Sequence, residues 1–419
     1  MTKFIIKTSP CLTGKVSIGG CKNAILPILA ASLLTSECCK IYSVPALSDV
    51  IALCSILEDI GIDVAFDEKK ECILVQAKNI VTLKTDYQKA SKMRASFLIM
   101  GALLSRCHEA IIPLPGGCPI GSRPVDLHLK GFAALGAQAE QSHGFIHIFA
   151  KELQGNKIYL DFPSVGATEN IMIAATLAKG TTTIVNAAAE PEIIDLACFL
   201  KKMGAMISGE GSNTITITGV EKLYGAEYTV MPDRIEAGTF MIAAAITKGD
   251  VIVEKVREKD IKPILAKLSE ANVKTQKLDE NAFRIYTKEK LQPISLKTMP
   301  FPGFPTDMQA PFMSLLSTIK GMSVITETVF ENRFIHAAEL QRMGAKINIE
   351  SRSAMIEGVD KLTGTQVKAS DLRGGAGLIL SALAAEGKTE ISDIYHIERG
   401  YYHIEQKLKK IGADIEIKP

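Results

Sequence analysis

An amphipathic helix that ends in a small-residue phrase and runs into an alternating strand recurs along the chain. The phrases are LEDIGIDV (57–64), LGAQAE (135–140), MGAMIS (203–208), LSEANVKT (268–275), MGAKIN (343–348) and IGADIE (411–416). Neighbouring copies lie about 70 residues apart, the regular spacing of an internally repeated architecture. The glycine marks the position just past a helix C-terminus. The residues beyond it alternate in polarity, as in GSNTITITGV, and predict a half-buried strand. A second phrase accompanies the first, in which a small-residue helix ends near Gly or Ser and leads into another strand. Examples are AATLAKGTTTIVNA (174–187), AAAITKGDVIVEKV (243–256), STIKGMSVITETVF (317–330) and SALAAEGKTEISDIY (381–395). Helix and strand alternating at this period predict an α/β protein of six similar units.

A chain of 419 residues exceeds one hydrophobic core. Two domains of three units each are expected, with a crossover near GAEYTVMPDRIEAG (225–238). The short alanine-rich helices suit tight packing at the centre of each domain, although periodicity does not reveal whether the sheets lie outside them. The longest apolar run, AILPILAASLL (24–34), is too short for a membrane span and holds a proline and a serine, so it reads as a buried helix. The start of the chain, MTKFIIKTSPCLTG, lacks the apolar stretch of a secretory signal.

Apolar residues make up 47% and charged residues 22%, as in soluble globular proteins. A net charge of +2 with no dense basic run argues against nucleic acid or a membrane surface as partner. The 9 cysteines are scattered, with no CxxC pair or histidine-spaced cluster. No metal site is expected from them, and their odd number fits a reducing cytoplasm. Cys54 and Cys198, inside apolar helices, fit the role of small buried hydrophobes.

LPGGCPIGSRPVDLH (114–128) sets Cys118 between a glycine pair and a proline, a turn unsuited to a packed core thiol. Cationic neighbours would lower its pKa and raise its reactivity, and the glycines give it an open, lid-like backbone. The chain has 37 lysines and 11 arginines, so each arginine is informative. Arg123, Arg333, Arg373 and Arg399 stand in GSRPVD, FENRFIH, DLRGGAG and HIERGYY, beside Gly or in turns, and suit a shared anion site. Lys22 and Asn23 come after two glycines at a helix start, where free N–H groups favour anions. Asn23 could equally be the N-cap. Asp307, in FPTDMQA, could be a general base or a first-turn aspartate.

Taken in order, GGCKNAILPILAASLL, MRASFLIMGALL, LPGGCPIGSRPVDLH, SVGATENIMIAA, EPEIIDLACFL, PDRIEAGTF, FPTDMQA, ITETVFENRF, DLRGGAG and IYHIERGYYHIE closely resemble the enolpyruvyl transferase family, on the branch that acts on UDP-N-acetylglucosamine. The resemblance implies two inside-out α/β barrel domains of three repeated units each. One would span 22–229 and carry Cys118. The other would take 1–21 plus 230–419 and carry Asp307, Arg333, Arg373 and Arg399. The implied reaction moves the enolpyruvyl group of phosphoenolpyruvate to the sugar 3′-hydroxyl and releases phosphate. It belongs to peptidoglycan synthesis in the cytoplasm and needs no metal or organic cofactor.

Residue by residue, the resemblance makes Cys118 the acid that protonates the phosphoenolpyruvate methylene and the target of fosfomycin. Asp307 would take the proton from the sugar hydroxyl. Lys22, Arg123 and Arg399 would hold phosphate, and Arg333 and Arg373 the carboxylate. The nucleotide sugar would lie against Arg123, Pro124, Val125, Asp126 and Leu127, with Ser164, Val165 and Gly166 at its phosphates. Asn23 and Val329 would sit near the sugar, Asn23 touching phosphoenolpyruvate too, and Arg94 at the substrate site. Asp233 and Glu236 carry weaker expectations. Two departures from relatives stand out. Gly374 and Gly375 replace Ala-Ser, which would loosen the turn holding Arg373, and Phe162 replaces a lysine. The rival readings are the sister transferase acting on shikimate 3-phosphate and a silent paralogue that binds nucleotide sugar.

Overall fold

The computed structural model describes residues 2–9, 11–91, 93–115, 120–121 and 125–419. Cys118, Arg123 and Pro124 lie outside the described residues. Contacts divide the rest into two compact units. One comprises 20–115 and 125–231, and the other comprises 1–19, 120–121 and 232–419.

Among the described residues, six small sheets account for the strands, and five share one plan of four strands. An outer strand runs parallel to the second strand, and two further antiparallel strands complete the sheet. In the sheet around Thr181–Val185, for example, Ile184 faces Ile158 on the parallel side and Ile215 on the antiparallel side. In the sixth sheet (Glu109–Pro113, Phe145–Phe149, Gln138–Ser142) the outer strand shrinks to the bridge between Lys84 and Ile111. Lys3–Lys7 pairs with both Lys388–Ser392 and Ile415–Lys418, and Thr13–Ser17 pairs in parallel with Asp250–Glu254. The first strands therefore complete sheets made by the end and the middle of the chain.

Each unit is built outward from three helices. Lys22–Ala31, Ile99–Cys107 and Val165–Ala175 pack together in one, and Arg234–Ile246, Gln309–Leu316 and Leu372–Ala384 in the other. These helices are buried almost all round: every residue of Arg234–Ile246 is buried. A helix that is apolar on every side belongs in an interior, so the sheets lie outside and turn one face inward. The helix after the second strand is amphipathic and covers the periphery, as Glu258–Glu270 does with Ile261, Ile264 and Leu268 inward.

The repeated small-residue phrases end these peripheral helices. Gly61, Gly136, Gly204, Gly344 and Gly412 take φ between +91° and +106°, and Asn272 fills the same place at +64°. Asparagine tolerates the left-handed region better than other side chains, which explains the one phrase without glycine. Cys54 is buried as expected, and burial pushes its thiol up to about 12. Cys198 is not a core thiol: it is exposed on Pro191–Lys202, because that helix turns only one face inward. Among the described residues no helix is long and apolar enough to cross a membrane.

Candidate functional site

The unit containing 232–419 gathers Asp307, Arg333 and Arg373. Asp307 lies in the turn Thr306–Met308 that leads into Gln309–Leu316. Met308 stands at the cap position and no side chain caps that helix, so Asp307 is not an N-cap. Its Oδ1 accepts from Arg333 Nη2 at 2.7 Å, and its Oδ2 accepts from Arg373 Nε at 3.1 Å and Nη2 at 2.9 Å. Both guanidinium groups are buried, whereas the Asp307 side chain keeps 24% exposure and can be reached. Each arginine also has a buried Nη1 with no hydrogen-bond partner among the described residues. Buried donors are rarely left unpaired, because each costs about 1–3 kcal/mol. Two of them on the arginines that flank one carboxylate suit an anionic ligand.

Local structure explains how the trio is held. Arg373 is not in a turn but in the first turn of Leu372–Ala384. Asp371 caps that helix, its Oδ1 accepting from the Arg373 and Gly374 N–H groups at 2.9 and 3.0 Å. Tyr401 lies under the Arg373 guanidinium at 5.4 Å. Burial opposes the charge on Arg373, but Asp307, Tyr401 and Asp233 more than offset it and raise the pKa above the ordinary arginine value. Gly374 and Gly375 do not loosen this turn. A Cβ on Gly374 would stand 2.6 Å from Asp371 Oδ2 and 2.9 Å from His336 Cβ, and one on Gly375 2.5 Å from Ile397 Cγ1. The glycines permit close packing there.

Arg333 sits in the connection 327–336, organised by a residue that the sequence did not single out. Glu327, 1% exposed, accepts on Oε1 from Thr298 Oγ1 and from the N–H groups of Val329 and Phe330. Its Oε2 accepts from Thr306 Oγ1 at 2.8 Å, next to Asp307. One buried acid thus ties the Val329 backbone to the turn carrying the candidate base. Arg399 comes directly after the short helix Tyr395–Glu398 and is half-buried. Asp233 caps Arg234–Ile246 through the Ile235 and Glu236 N–H groups. Glu236 is buried and accepts from Gly19 N and Lys407 Nζ.

In the other unit, Lys22 opens the helix Lys22–Ala31 and pairs with Asp49 at 3.2 Å, both largely buried. Cys21 takes the cap position, so Asn23 is a residue of the first turn and not the N-cap. Ser164 caps Val165–Ala175 by accepting from Ala167 N, leaving the first-turn N–H groups at Val165 and Gly166. Arg94 begins the 3-10 turn Arg94–Leu98. It is close enough to lower the pKa of His128, which burial itself pushes down to about 3. Val125, Asp126 and Leu127 form the start of Asp126–Ala134, which carries His128. Neither Asp49 nor His128 was legible as a site residue, since their partners lie far off in sequence.

Three buried helices wrapped by small sheets, twice over, define the class to which this chain belongs. The enolpyruvyl transferase NikO from Streptomyces tendae superposes with a TM-score of 0.89 at 24% identity, covering 100% of this chain and 99% of that one. EPSP synthase from Acinetobacter baumannii superposes with 0.78 at 18%, covering 100% of both. At those identities the likeness is one of fold. A family model for EPSP synthase (3-phosphoshikimate 1-carboxyvinyltransferase) matches residues 6–408. The UDP-N-acetylglucosamine 1-carboxyvinyltransferase 2 of Carboxydothermus hydrogenoformans is 55% identical over 417 residues, 99% of each chain. The corresponding transferase 1 of Staphylococcus aureus is 51% identical over 418, again 99% of each. The chain belongs to the enolpyruvyl transferase family.

Proposed function

We propose that this chain transfers the enolpyruvyl group of phosphoenolpyruvate to the 3′-hydroxyl of UDP-N-acetylglucosamine, with release of phosphate. The observation that carries this reading is the Asp307–Arg333–Arg373 trio, with two unpaired buried Nη1 donors beside a reachable carboxylate. Phosphoenolpyruvate brings a carboxylate and a phosphate on one small frame. Arg333 and Arg373 hold the carboxylate. Lys22, Arg123 and Arg399 hold the phosphate. Ser164, Val165 and Gly166 face the nucleotide phosphates, 123–127 the uridine, and Asn23, Arg94 and Val329 the rest of the sugar nucleotide.

Asp307 takes the proton from the 3′-hydroxyl as that oxygen attacks C2 of phosphoenolpyruvate, and Cys118 delivers a proton to C3. The tetrahedral ketal then loses phosphate and a C3 proton to restore the double bond. The arginines also tune the base. While they bond Asp307 they favour its ionised form and weaken it as a base. A substrate carboxylate bound at the unpaired Nη1 groups adds a like charge beside Asp307 and raises its proton affinity. The base is thereby strengthened when phosphoenolpyruvate is present. The cellular setting is peptidoglycan precursor synthesis in the cytoplasm, and with it cell-wall growth and division.

Phosphate release from phosphoenolpyruvate tests the reading with each acceptor in turn. Release with UDP-N-acetylglucosamine and none with shikimate 3-phosphate is expected. The opposite pattern makes the chain the sister enzyme, and no release with either makes it a silent binder. Cys118 is expected to gain one fosfomycin adduct by intact mass in the presence of the nucleotide sugar, and Cys118→Ser to gain none.

A further inference from the structure

The unit holding Val165–Ala175 contains a buried imidazole whose proton position is dictated by its surroundings. Asn170, fully buried in that helix, has an unambiguous amide orientation. Its Oδ1 accepts from the Gly101 N–H at 2.9 Å, and its Nδ2 donates to the Phe97 carbonyl at 2.9 Å. A backbone N–H only donates and a carbonyl only accepts, so the two contacts fix which end of the amide is which. The second Nδ2 hydrogen points at His128 Nδ1, 3.1 Å away. That nitrogen must accept, which leaves the ring proton on Nε2.

The packing around this pair is close. Gly101 must lack a side chain for Asn170 to reach its backbone, since a Cβ there would stand 2.3 Å from Asn170 Oδ1. Gly131 lets Asp126–Ala134 lie against Ile171 in the same way, at 2.2 Å. Phe97 meets the His128 ring edge-on with centroids 5.0 Å apart. His128 is 7% exposed, and no described residue accepts from its Nε2. The free edge of the ring faces the first turn of Val165–Ala175, where a Cβ on Gly166 would be 3.3 Å from Cε1 and 3.4 Å from Nε2. The N–H groups of a helix start, the nearby Arg94 and a single oriented imidazole N–H converge there.

We propose that Asn170 is a positioning residue that fixes His128 as the Nε2–H tautomer, so that a neutral donor joins the helix start in gripping the diphosphate of the nucleotide substrate. The inference rests on the nucleotide-sugar reading above. It adds the residue that sets the donor and the chemistry of the grip. A neutral imidazole donates to phosphate oxygens without needing protonation, so binding through it does not vary between pH 6 and 8.

The chain has 7 histidines, few enough to resolve in a 15N-histidine spectrum of the full-length protein, with His128 assigned by its loss in His128→Gln. The expected spectrum shows His128 protonated on Nε2, with that signal shifting when UDP is added. A proton on Nδ1 overturns the proposal. Calorimetric titration with UDP-N-acetylglucosamine supplies the second reading. His128→Ala should weaken binding about 10- to 100-fold, the worth of one hydrogen bond to a charged group. His128→Gln, whose amide nitrogen can stand where Nε2 does, should stay within about threefold of wild type on the same grounds. Asn170→Asp, which draws the proton to Nδ1, should resemble His128→Ala. Equal affinity of wild type and His128→Ala sinks the inference and leaves the nucleotide-sugar reading standing. Failure of the wild type to bind UDP-N-acetylglucosamine sinks both.

Discussion

The two units repeat one architecture but prepare it for anions in different ways. In the unit of 232–419, full charges dominate: Arg333 and Arg373 are buried, face Asp307 and keep unpaired N–H groups. In the other, around Val165–Ala175, the donors are backbone N–H groups and a neutral imidazole oriented by Asn170, with Arg94 close by. The contrast matches the ligands proposed for each. A small carboxylate offers few oxygens and needs dense, directional cations, which a protein can bury only when they are already paired. A diphosphate offers many oxygens over a larger span, and dipoles at a helix start satisfy them at little desolvation cost. The Arg–Asp trio therefore has the more to lose from a single substitution.

Removing the central carboxylate of the trio should have the largest effect. Asp307→Asn keeps the shape and a weak acceptor but removes both the proposed base and the counter-charge of two buried guanidinium groups. Turnover should fall about 10²- to 10⁴-fold, while affinity for UDP-N-acetylglucosamine changes little. Steady-state phosphate release and nucleotide-sugar titration separate the two. Turnover within tenfold of wild type would remove Asp307 from proton transfer.

The units differ also in their buried histidines. His336, 1% exposed in the unit of the trio, has no hydrogen-bond partner on either ring nitrogen among the described residues. Burial pulls its pKa down to about 4, with Arg333 lowering it further and Asp371 opposing. An ordinary histidine titrates near 6.5. As pH falls below 6.5 the unfolded chain takes up a proton that the folded chain refuses until about 4, so stability is lost across that window and is complete above it. The loss amounts to on the order of 2 kcal/mol by pH 5. His128, lowered to about 3, contributes a similar slope. Urea midpoints at pH 7 and pH 5 should therefore differ, and His336→Leu should lose about half of that difference. An unchanged difference in His336→Leu means that His336 already binds its proton in the fold.

A charge-preserving change probes the geometry of the trio. Arg373→Lys keeps one positive charge but gives up the paired Nε and Nη2 contacts to Asp307 and the stacking on Tyr401. The KM for phosphoenolpyruvate should rise about 10- to 100-fold, with the nucleotide-sugar KM nearly constant. A rise shared equally by both substrates would argue that Arg373 shapes the unit and not the anion site.

Much of the fold was legible in the sequence because it is written in positions that tolerate few residues. The left-handed positions filled by Gly61, Gly136, Gly204, Asn272, Gly344 and Gly412 fall one per repeat and count the six units. Four of the five outer parallel strands were not legible. Lys157–Tyr159, Glu227–Thr229, Ser295–Lys297 and Gln366–Lys368 are three residues long, each with one buried position, too short to show a period. At the site, the arginines and Asp307 stood out by residue type and setting. Glu327, Asp49 and Asn170 did not, because each acts through partners 20 to 70 residues away or through backbone N–H groups. Glu327 carried one signal, an acid directly after the strand Gly321–Thr326. In four of the units that position holds a left-handed residue instead: Ser43, Asn186, Lys255 and Asp393. One of the two units without one has the connection 327–336, which carries Arg333.

The smallest predicted effect concerns the glycines behind Arg373. In the other unit the comparable helix start, at Val165–Ala175, is less crowded: the nearest atoms to a Cβ on Gly166 lie at 3.3 Å, a tight contact that belongs to the edge of the His128 ring. At Gly374 the obstacles are Asp371 Oδ2 and His336 Cβ, closer than 3 Å and fixed, the first by its capping bonds and the second by burial. Gly374→Ala gains helix propensity of about 1 kcal/mol and incurs overpacking strain of about 1–3 kcal/mol. The expected sum is a net destabilisation of about 1 kcal/mol by urea unfolding. Part of the strain would pass through the Asp371 cap to Arg373, so the phosphoenolpyruvate KM should rise slightly. Gly166→Ala should leave stability level or higher, while crowding His128 and weakening nucleotide-sugar binding. If Gly374→Ala stabilises the protein and leaves KM unchanged, the first turn of Leu372–Ala384 gives way easily, and the Arg333–Asp307–Arg373 trio owes its rigidity to its own ion pairs and not to the packing behind it.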